Sequence, residues 1–233
     1  MRHELRSYAD ADALWDAASA FIAERVHLAL AANATCHLAL SGGRTPRRMF
    51  DQLATADLAW RRVVIYQVDE RITPDADQRN LTSLTTLGAA GAHIEPMPVT
   101  DDDLEGASAD YAHRLAQRLD LVHLGLGTDG HTASLVPGDP VLEVSDRLVA
   151  LTSSYQGYRR MTLTYRALAR AEQLLWLVSG ERKSRALSQL LGGDTSIPAG
   201  RVQAAHSLVL CDQSALARAA STSFAVRERT GTS

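Results

Sequence analysis

Apolar residues recur at helical spacing over residues 12–33, at Leu14, Ala18, Phe21, Ile22 and Val26 behind an acidic start, and predict one long amphipathic helix. The period then changes. Residues 36–40 form a compact apolar run of strand type, stopped by Ser41-Gly-Gly-Arg-Thr-Pro46, and Pro46 suits the first turn of a helix continuing through Met49 and Leu53. Residues 62–68 predict a strand ending at Asp69-Glu-Arg71. A helix is expected to begin after Asp77 and run through Leu87, and residues 102–119 predict another. A strand over 120–124 ends at Gly125, and residues 147–152 and 160–164 read as two further strands. Residues 173–178 are a strand feeding a helix over 181–191, and 206–211 is the last strand.

Alternating strands and helices of this kind build a mostly parallel sheet covered by helices on both faces, and the two strands near 147–164 add a small antiparallel excursion. The predicted class is therefore α/β. With 45 % hydrophobic residues among 233, the chain has enough apolar side chain for a continuous core. A single domain over 1–233 is expected, with 227–233 a disordered tail. A net charge of −3 gives no basic field to hold nucleic acid, so an anionic small substrate would need a local cationic pocket. Cys36 and Cys211 fall in apolar strand-like runs and read as buried free thiols. Residues 1–11 lack the apolar core of a signal peptide, and no run approaches the roughly 20 apolar residues of a membrane span. No membrane association is expected, and the cytoplasm is the default location.

The polar clusters carry more information. Ser41-Gly-Gly43, Asp69-Glu-Arg71, the stretch from Gly125 to His131, and Ser179-Gly-Glu-Arg-Lys183 each follow the carboxyl end of a predicted strand, the edge at which open α/β sheets bind ligands. The first reads either as a tight turn that needs glycine for geometry or as an anion cradle, with Ser41, Gly42, Gly43, Arg44 and Thr45 supplying donors ahead of a helix. Gly125-Leu-Gly-Thr-Asp-Gly130 matches a dinucleotide fingerprint, but Pro137 and Pro140 stand where that motif needs a long helix. The loop instead presents Asp129 and His131, and the crowding of glycines at a strand end raises His131 above an ordinary surface histidine. Asp69 and Glu70 could equally cap a helix or line a solvated turn, with Arg71 as their ion-pair partner. Lys183 is the only lysine in the chain and stands at a helix start, where a cation is unfavourable without an anion nearby; a phosphate contact is the better reading.

Taken in order, Leu38-Ala-Leu-Ser-Gly-Gly-Arg-Thr-Pro46, Val68-Asp-Glu-Arg71 with Pro74 and Asn80, Leu124-Gly-Leu-Gly-Thr-Asp-Gly-His-Thr-Ala-Ser-Leu135 with Pro137 and Gly138, Arg160-Met-Thr-Leu-Thr164, Gly180-Glu-Arg-Lys183 and Ile197-Pro-Ala199 resemble the 6-phosphogluconolactonases of the pentose phosphate pathway. The stretches span about residues 38 to 200, far more specific than any single motif. The related glucosamine-6-phosphate deaminases share a Ser-Gly-Gly loop and a Gly-His segment. They typically place an aromatic where Arg71 stands and Ile-Ala-Phe where Thr132-Ala-Ser-Leu135 stands, so both positions favour the lactonase. Two departures are evident. Arg44 replaces the usual Ser or Thr, and Leu208-Val-Leu-Cys-Asp212 replaces a Trp-Phe-x-Asp pattern in the last strand, expected to lie away from the chemistry.

The resemblance implies a Rossmann-like fold of the sugar-phosphate isomerase/deaminase type and hydrolysis of 6-phospho-D-glucono-1,5-lactone. It implies His131 as general base, with Asp69 and also Asp129 orienting its imidazole. Phosphate recognition is implied at Gly42 to Thr45, Arg160 and Lys183, with Arg71 or backbone N–H groups at the oxyanion. Ser41 and Gly127 complete the expected substrate-binding set, and which of Arg159 and Arg160 faces the substrate stays open. No cofactor or metal is expected, since lactone opening requires none and no His or Cys pair has ligand spacing. The expected partner is the sugar phosphate lactone alone, with the oligomeric state open and a monomer included. The rivals are a sugar-phosphate isomerase or deaminase and a sugar-phosphate-sensing domain; the latter would need an attached DNA-binding helix-turn-helix, for which no room or basic patch is expected.

Overall fold

Asp10 opens the first helix as its N-cap, its carboxylate accepting the Ala13 N–H at 2.9 Å. The computed structural model describes residues 2–43 and 45–216; Arg44 and the expected tail over 227–233 lie outside the described residues. The helices are α1 (Ala11–Ala32), α2 (Arg47–Leu53), α3 (Thr85–Ala89), α4 (Leu104–Arg114), α5 (Tyr165–Leu168), α6 (Ser184–Leu191) and α7 (Gln213–Leu216). The strands are β1 (Glu4–Tyr8), β2 (Cys36–Leu40), β3 (Val63–Gln67), β4 (Asp69–Arg71), β5 (His93–Glu95), β6 (Leu121–Gly125), β7 (Val149–Leu151), β8 (Arg160–Leu163), β9 (Gln173–Val178) and β10 (His206–Asp212).

Seven strands form one sheet in the order β1-β10-β9-β6-β2-β3-β5, every pair parallel. Period-two alternation splits its side chains between two cores. Leu38, Leu40, Ile65, Leu121 and Leu175 pack with Leu14, Ile22, Met49 and Phe50 of α1 and α2. Ala39, Val122, Leu124 and Trp176 face the other way, with Tyr111 of α4 and Leu187 of α6. Burial on both faces explains why the central strands read as unbroken apolar runs. No helix of the described residues is long and apolar enough to cross a membrane.

The antiparallel excursion is a second sheet, β4-β8-β7. Here the structure departs from the expectation that Asp69-Glu-Arg71 is a loop. Val68 N donates to Leu40 O at 3.2 Å in the main sheet, while Val68 O accepts from Leu163 N at 2.8 Å in the second. The chain thus passes between sheets at one residue, and Asp69 pairs with Thr162 and Arg71 with Arg160. A three-residue strand has no period to read.

Two expected helices are also shorter. The one predicted over 102–119 stops at Arg114 because Leu119 is drawn into the sheet: Leu119 N donates to Arg170 O at 3.0 Å and Glu172 N to Leu119 O at 2.8 Å. The one predicted from 78 to 87 breaks into 3₁₀ turns and α3. Buried Glu70 captures the N–H groups of Asn80 (2.6 Å) and Leu81 (2.8 Å), pinning that segment to β4. The short edge strands β1 and β5 had no predicted counterpart.

Candidate active site

The sheet order decides where chemistry can gather. From β2 the chain builds outward through β3 and β5 on one side, then returns to β6 and continues through β9 and β10 on the other. The crevice at the carboxyl ends of β2 and β6 is therefore the topological switch point. Because β10, β9, β6, β2 and β3 are successive neighbours, Asp212, the 179–183 loop, the 126–131 loop, the Ser41 loop and Asp69 stand in one row along that edge.

Gly127 N donates to His131 O at 2.8 Å, folding the loop after β6 into a tight turn. Within it, His131 Nδ1 lies 2.6 Å from Asp129 Oδ1, which also accepts the His131 backbone N–H at 3.2 Å. A carboxylate acceptor fixes the proton of a neutral imidazole on Nδ1 and leaves Nε2 with its lone pair. Desolvation raises the pKa of Asp129, but the His131 backbone hydrogen bond, charge and side-chain hydrogen bond outweigh it, so the carboxyl titrates below its ordinary value. Gly127 is required by this arrangement: a Cβ there would sit 2.1 Å from Nδ1 of His131. Gly130, at φ 81°, is crowded by Ile197, a Cβ falling 2.5 Å from the Ile197 Cβ.

Asp69 and Asp129 were both expected to orient the imidazole; the carboxylate on Nδ1 is that of Asp129. The buried Asp69 carboxylate accepts instead from Ser134 Oγ (2.5 Å) and Asn80 Nδ2 (3.3 Å), with Arg160 NH1 at 3.9 Å. Desolvation raises its pKa, opposed by the Ser134 hydrogen bond and by the charges of Arg160, His131 and Arg71. Of the two candidate arginines, Arg160 is the buried one beside Asp69, whereas Arg159 Nε reaches back to Thr152 O at 3.5 Å. Arg71 donates through NH1 to Gln78 O at 2.7 Å. The Nε atoms of both Arg71 and Arg160 are buried without a hydrogen-bond partner, free donors next to the crevice.

The glycine loop differs from a plain anion cradle. Gly42 is where the Asn80 backbone comes close, a Cβ there falling 2.5 Å from Asn80 O. Gly43, at φ 107°, gives its N–H to Ser83 Oγ at 3.0 Å. Ser41 Oγ is buried and unpartnered, and Thr45 is exposed. Arg44 lies outside the described residues. Lys183 sits half-buried after Gly180; desolvation lowers its pKa, and the charge of Asp129 opposes that shift.

Two contributors went unread in the sequence. Asp212, expected to lie away from the chemistry, accepts from Ser179 Oγ (2.5 Å), Gly180 N (3.1 Å), Ser214 Oγ (2.7 Å) and Ala215 N (2.8 Å). It ties the Lys183 loop to the start of α7, and Gly180 O in turn accepts Lys183 N at 2.9 Å. The same rule that flagged four strand-end clusters would have flagged this fifth one. Tyr155 is the other, its hydroxyl 3.2 Å from Asp129 Oδ2. No group of three or more His, Cys, Asp or Glu side chains is placed to hold a metal ion among the described residues.

Comparison with known proteins identifies the family to which these residues belong. Residues 9–211 match the family described as glucosamine-6-phosphate isomerases/6-phosphogluconolactonase. A 6-phosphogluconolactonase of Synechocystis sp. is 34 % identical over 214 residues, 83 % of this chain and 89 % of that protein. Another, of Rhizobium meliloti, is 32 % identical over 203 residues, 81 % of this chain and 88 % of that protein. The crystal structure of 6-phosphogluconolactonase from Thermotoga maritima aligns with a TM-score of 0.82 at 27 % identity, covering 91 % of this chain and 100 % of that one.

Proposed function

The chain belongs to the glucosamine-6-phosphate isomerase/6-phosphogluconolactonase family, and from that premise we infer that it hydrolyses 6-phospho-D-glucono-1,5-lactone to 6-phospho-D-gluconate in the oxidative pentose phosphate pathway. It is a carboxylic ester hydrolase acting on a sugar-phosphate lactone. The assignment of residues is a proposal, and one observation carries it: the 2.6 Å contact of His131 Nδ1 with Asp129 Oδ1, at the switch point of the sheet.

With Nδ1 committed, Nε2 is the base. It takes a proton from water as the water oxygen attacks the lactone carbonyl carbon. Asp129 holds the resulting imidazolium, which then gives its proton to the ring oxygen as the carbon–oxygen bond breaks. A base placed in this way contributes about 10²–10⁴-fold, enough for an ester already activated by its ring. Arg71 and Arg160 both bring positive charge to Asp69, which supports a role for their guanidinium groups in meeting the developing oxyanion or the substrate's anionic end. Lys183, Ser41 Oγ and Arg160 are the proposed phosphate contacts, and Asp69 the carboxylate that fixes Arg160. The reaction so written uses no cofactor or metal, and a cytoplasmic setting fits two cysteines held as buried free thiols.

A pH-stat assay with freshly made 6-phosphoglucono-δ-lactone against its unphosphorylated analogue tests the function. Acid release on the phosphorylated substrate well above the spontaneous rate, with at least about a hundredfold preference in kcat/KM, is expected from a charged contact to phosphate. Equal rates on the two lactones would overturn the phosphate reading, and ammonia release from an amino sugar phosphate would overturn the hydrolase.

A further inference from the structure

The connection from β7 to β8 ends in a two-residue turn. Tyr155 N donates to Tyr158 O at 2.9 Å and Tyr158 N to Tyr155 O at 3.3 Å. Gln156 and Gly157 between them both take positive φ, 51° and 86°, the backbone of a hairpin turn that follows strand twist. The turn lays both tyrosines over cations: the Arg71 guanidinium lies 5.5 Å from the Tyr158 ring centre, and that of Arg160 5.5 Å from the Tyr155 ring centre.

Tyr155 reaches further than its neighbour. Its hydroxyl donates to Asp129 Oδ2 at 3.2 Å, and its ring meets His131 edge-on with centres 5.5 Å apart and planes at 67°. Gln156 Nε2 in turn donates to the Tyr155 hydroxyl at 3.2 Å. The terminal torsion of an aspartate is soft, so a carboxylate held at one oxygen swings. Asp129 has Oδ1 on His131, and Tyr155 holds Oδ2.

We propose that Tyr155 is a positioning residue of the hydrolysis: its hydroxyl fixes the rotation of the Asp129 carboxylate so that Oδ1 stays on Nδ1 of His131, while its ring seats the Arg160 guanidinium, which lies 3.9 Å from Asp69. The small antiparallel sheet thereby acquires a purpose, since its hairpin carries the side chain that joins the base, its orienting acid and a substrate cation. The inference rests on the reading of His131 and Asp129 as the reacting pair.

The test is steady-state kinetics on Tyr155→Phe, Tyr155→Leu, Asp129→Asn and the Asp129→Asn/Tyr155→Phe double variant, each checked by thermal melting. Tyr155→Phe keeps the ring and loses the hydroxyl, so kcat falls about tenfold with KM changed less than about twofold. Tyr155→Leu also removes the support of Arg160, and KM rises a further fivefold or so. On Asp129→Asn, adding Tyr155→Phe changes kcat by less than about twofold, because the hydroxyl acts only through the carboxylate. A Tyr155→Phe enzyme within about twofold of wild-type kcat, or a loss that recurs undiminished on Asp129→Asn, overturns the proposal. Should Asp129→Asn itself keep wild-type turnover, the reacting pair falls and this inference with it. If Tyr155→Leu does not fold, the phenylalanine variant and the double variant decide.

Discussion

Gly127→Ala places one methyl group against the imidazole. The added Cβ would stand 2.1 Å from His131 Nδ1, 2.4 Å from its Cε1 and 2.6 Å from Asp129 Oδ1. Gly127 is not among the positive-φ glycines, so alanine fits the backbone there, and the whole conflict falls on the two side chains. To reach the 3.4 Å at which ordinary contact begins, the ring must retreat by about 1.3 Å, and misplacement of a reacting group by about 1 Å costs on the order of 10²-fold. A kcat lowered by about a hundredfold is therefore expected, with KM changed less than threefold because the phosphate contacts are elsewhere. Stability should fall modestly: the gain of about 0.4–1 kcal/mol from a less flexible unfolded chain is set against an overpacking cost of about 1–3 kcal/mol from the displaced imidazole and carboxylate. Gly125→Ala is the internal control, since a Cβ there meets nothing within 4 Å, and it should leave turnover near wild type. The assay is initial acid release from fresh lactone near neutral pH, corrected for spontaneous opening. A Gly127→Ala enzyme within threefold of wild-type kcat would show that the imidazole's location is not what the rate depends on.

Lys183→Ala should raise KM at least tenfold with kcat within about threefold, an anion contact being made alike in ground and transition states; an unchanged KM removes it from the phosphate site. Asp212→Asn should raise KM in the same direction but less, since the lysine survives while its loop loses an acceptor, and product-inhibition constants for 6-phosphogluconate should rise in parallel. The Asp212 carboxyl is desolvated, yet the Ser179 and Ser214 hydroxyls and the N–H groups of Ala215 and Gly180 outweigh that and hold its pKa below the ordinary value. Its contribution to stability is therefore full above the unfolded value of about 3.9 and lost as pH falls through the lower folded value. The difference in Tm between wild type and Asp212→Asn should be constant from pH 7 to about 5 and narrow below about pH 4; a gap that widens on acidification contradicts the network. Gly42→Ala drives a methyl into the Asn80 backbone, 2.5 Å from its carbonyl oxygen, and should cost about 1–3 kcal/mol by denaturant unfolding; a neutral effect would mean the Asn80 segment yields freely.

The parallel core was legible because strands buried on both faces announce themselves as apolar runs, and the strand-end rule then placed Ser41, His131 and Lys183 along one edge. What escaped was set by partners distant in sequence. Asp69 forms a strand only because Thr162 pairs with it 93 residues later, and its carboxylate turned to Ser134 rather than His131. Gly42 and Gly43 looked like openings for a ligand, whereas the 80–83 segment, held by Glu70, fills the space beside them. The site aromatics were invisible as such: Tyr155 carries no motif, and only the Gln-Gly pair between two predicted strands hinted at a tight hairpin. Asp212 was set aside for lacking its usual aromatic neighbours, although the acid itself is what the loop uses.

Lys183 being the chain's one lysine has a practical consequence. Partial desolvation lets its amine shed a proton more readily than an exposed lysine would, so it acylates earlier as pH rises. An amine-selective ester can tag this side chain and the amino terminus and no other primary amine, and a bound anion would shield the former from the reagent. Mass shifts on a single peptide would then report pocket occupancy directly. Coupling the enzyme to an activated resin through its amines risks anchoring it by the very group proposed to hold the substrate phosphate.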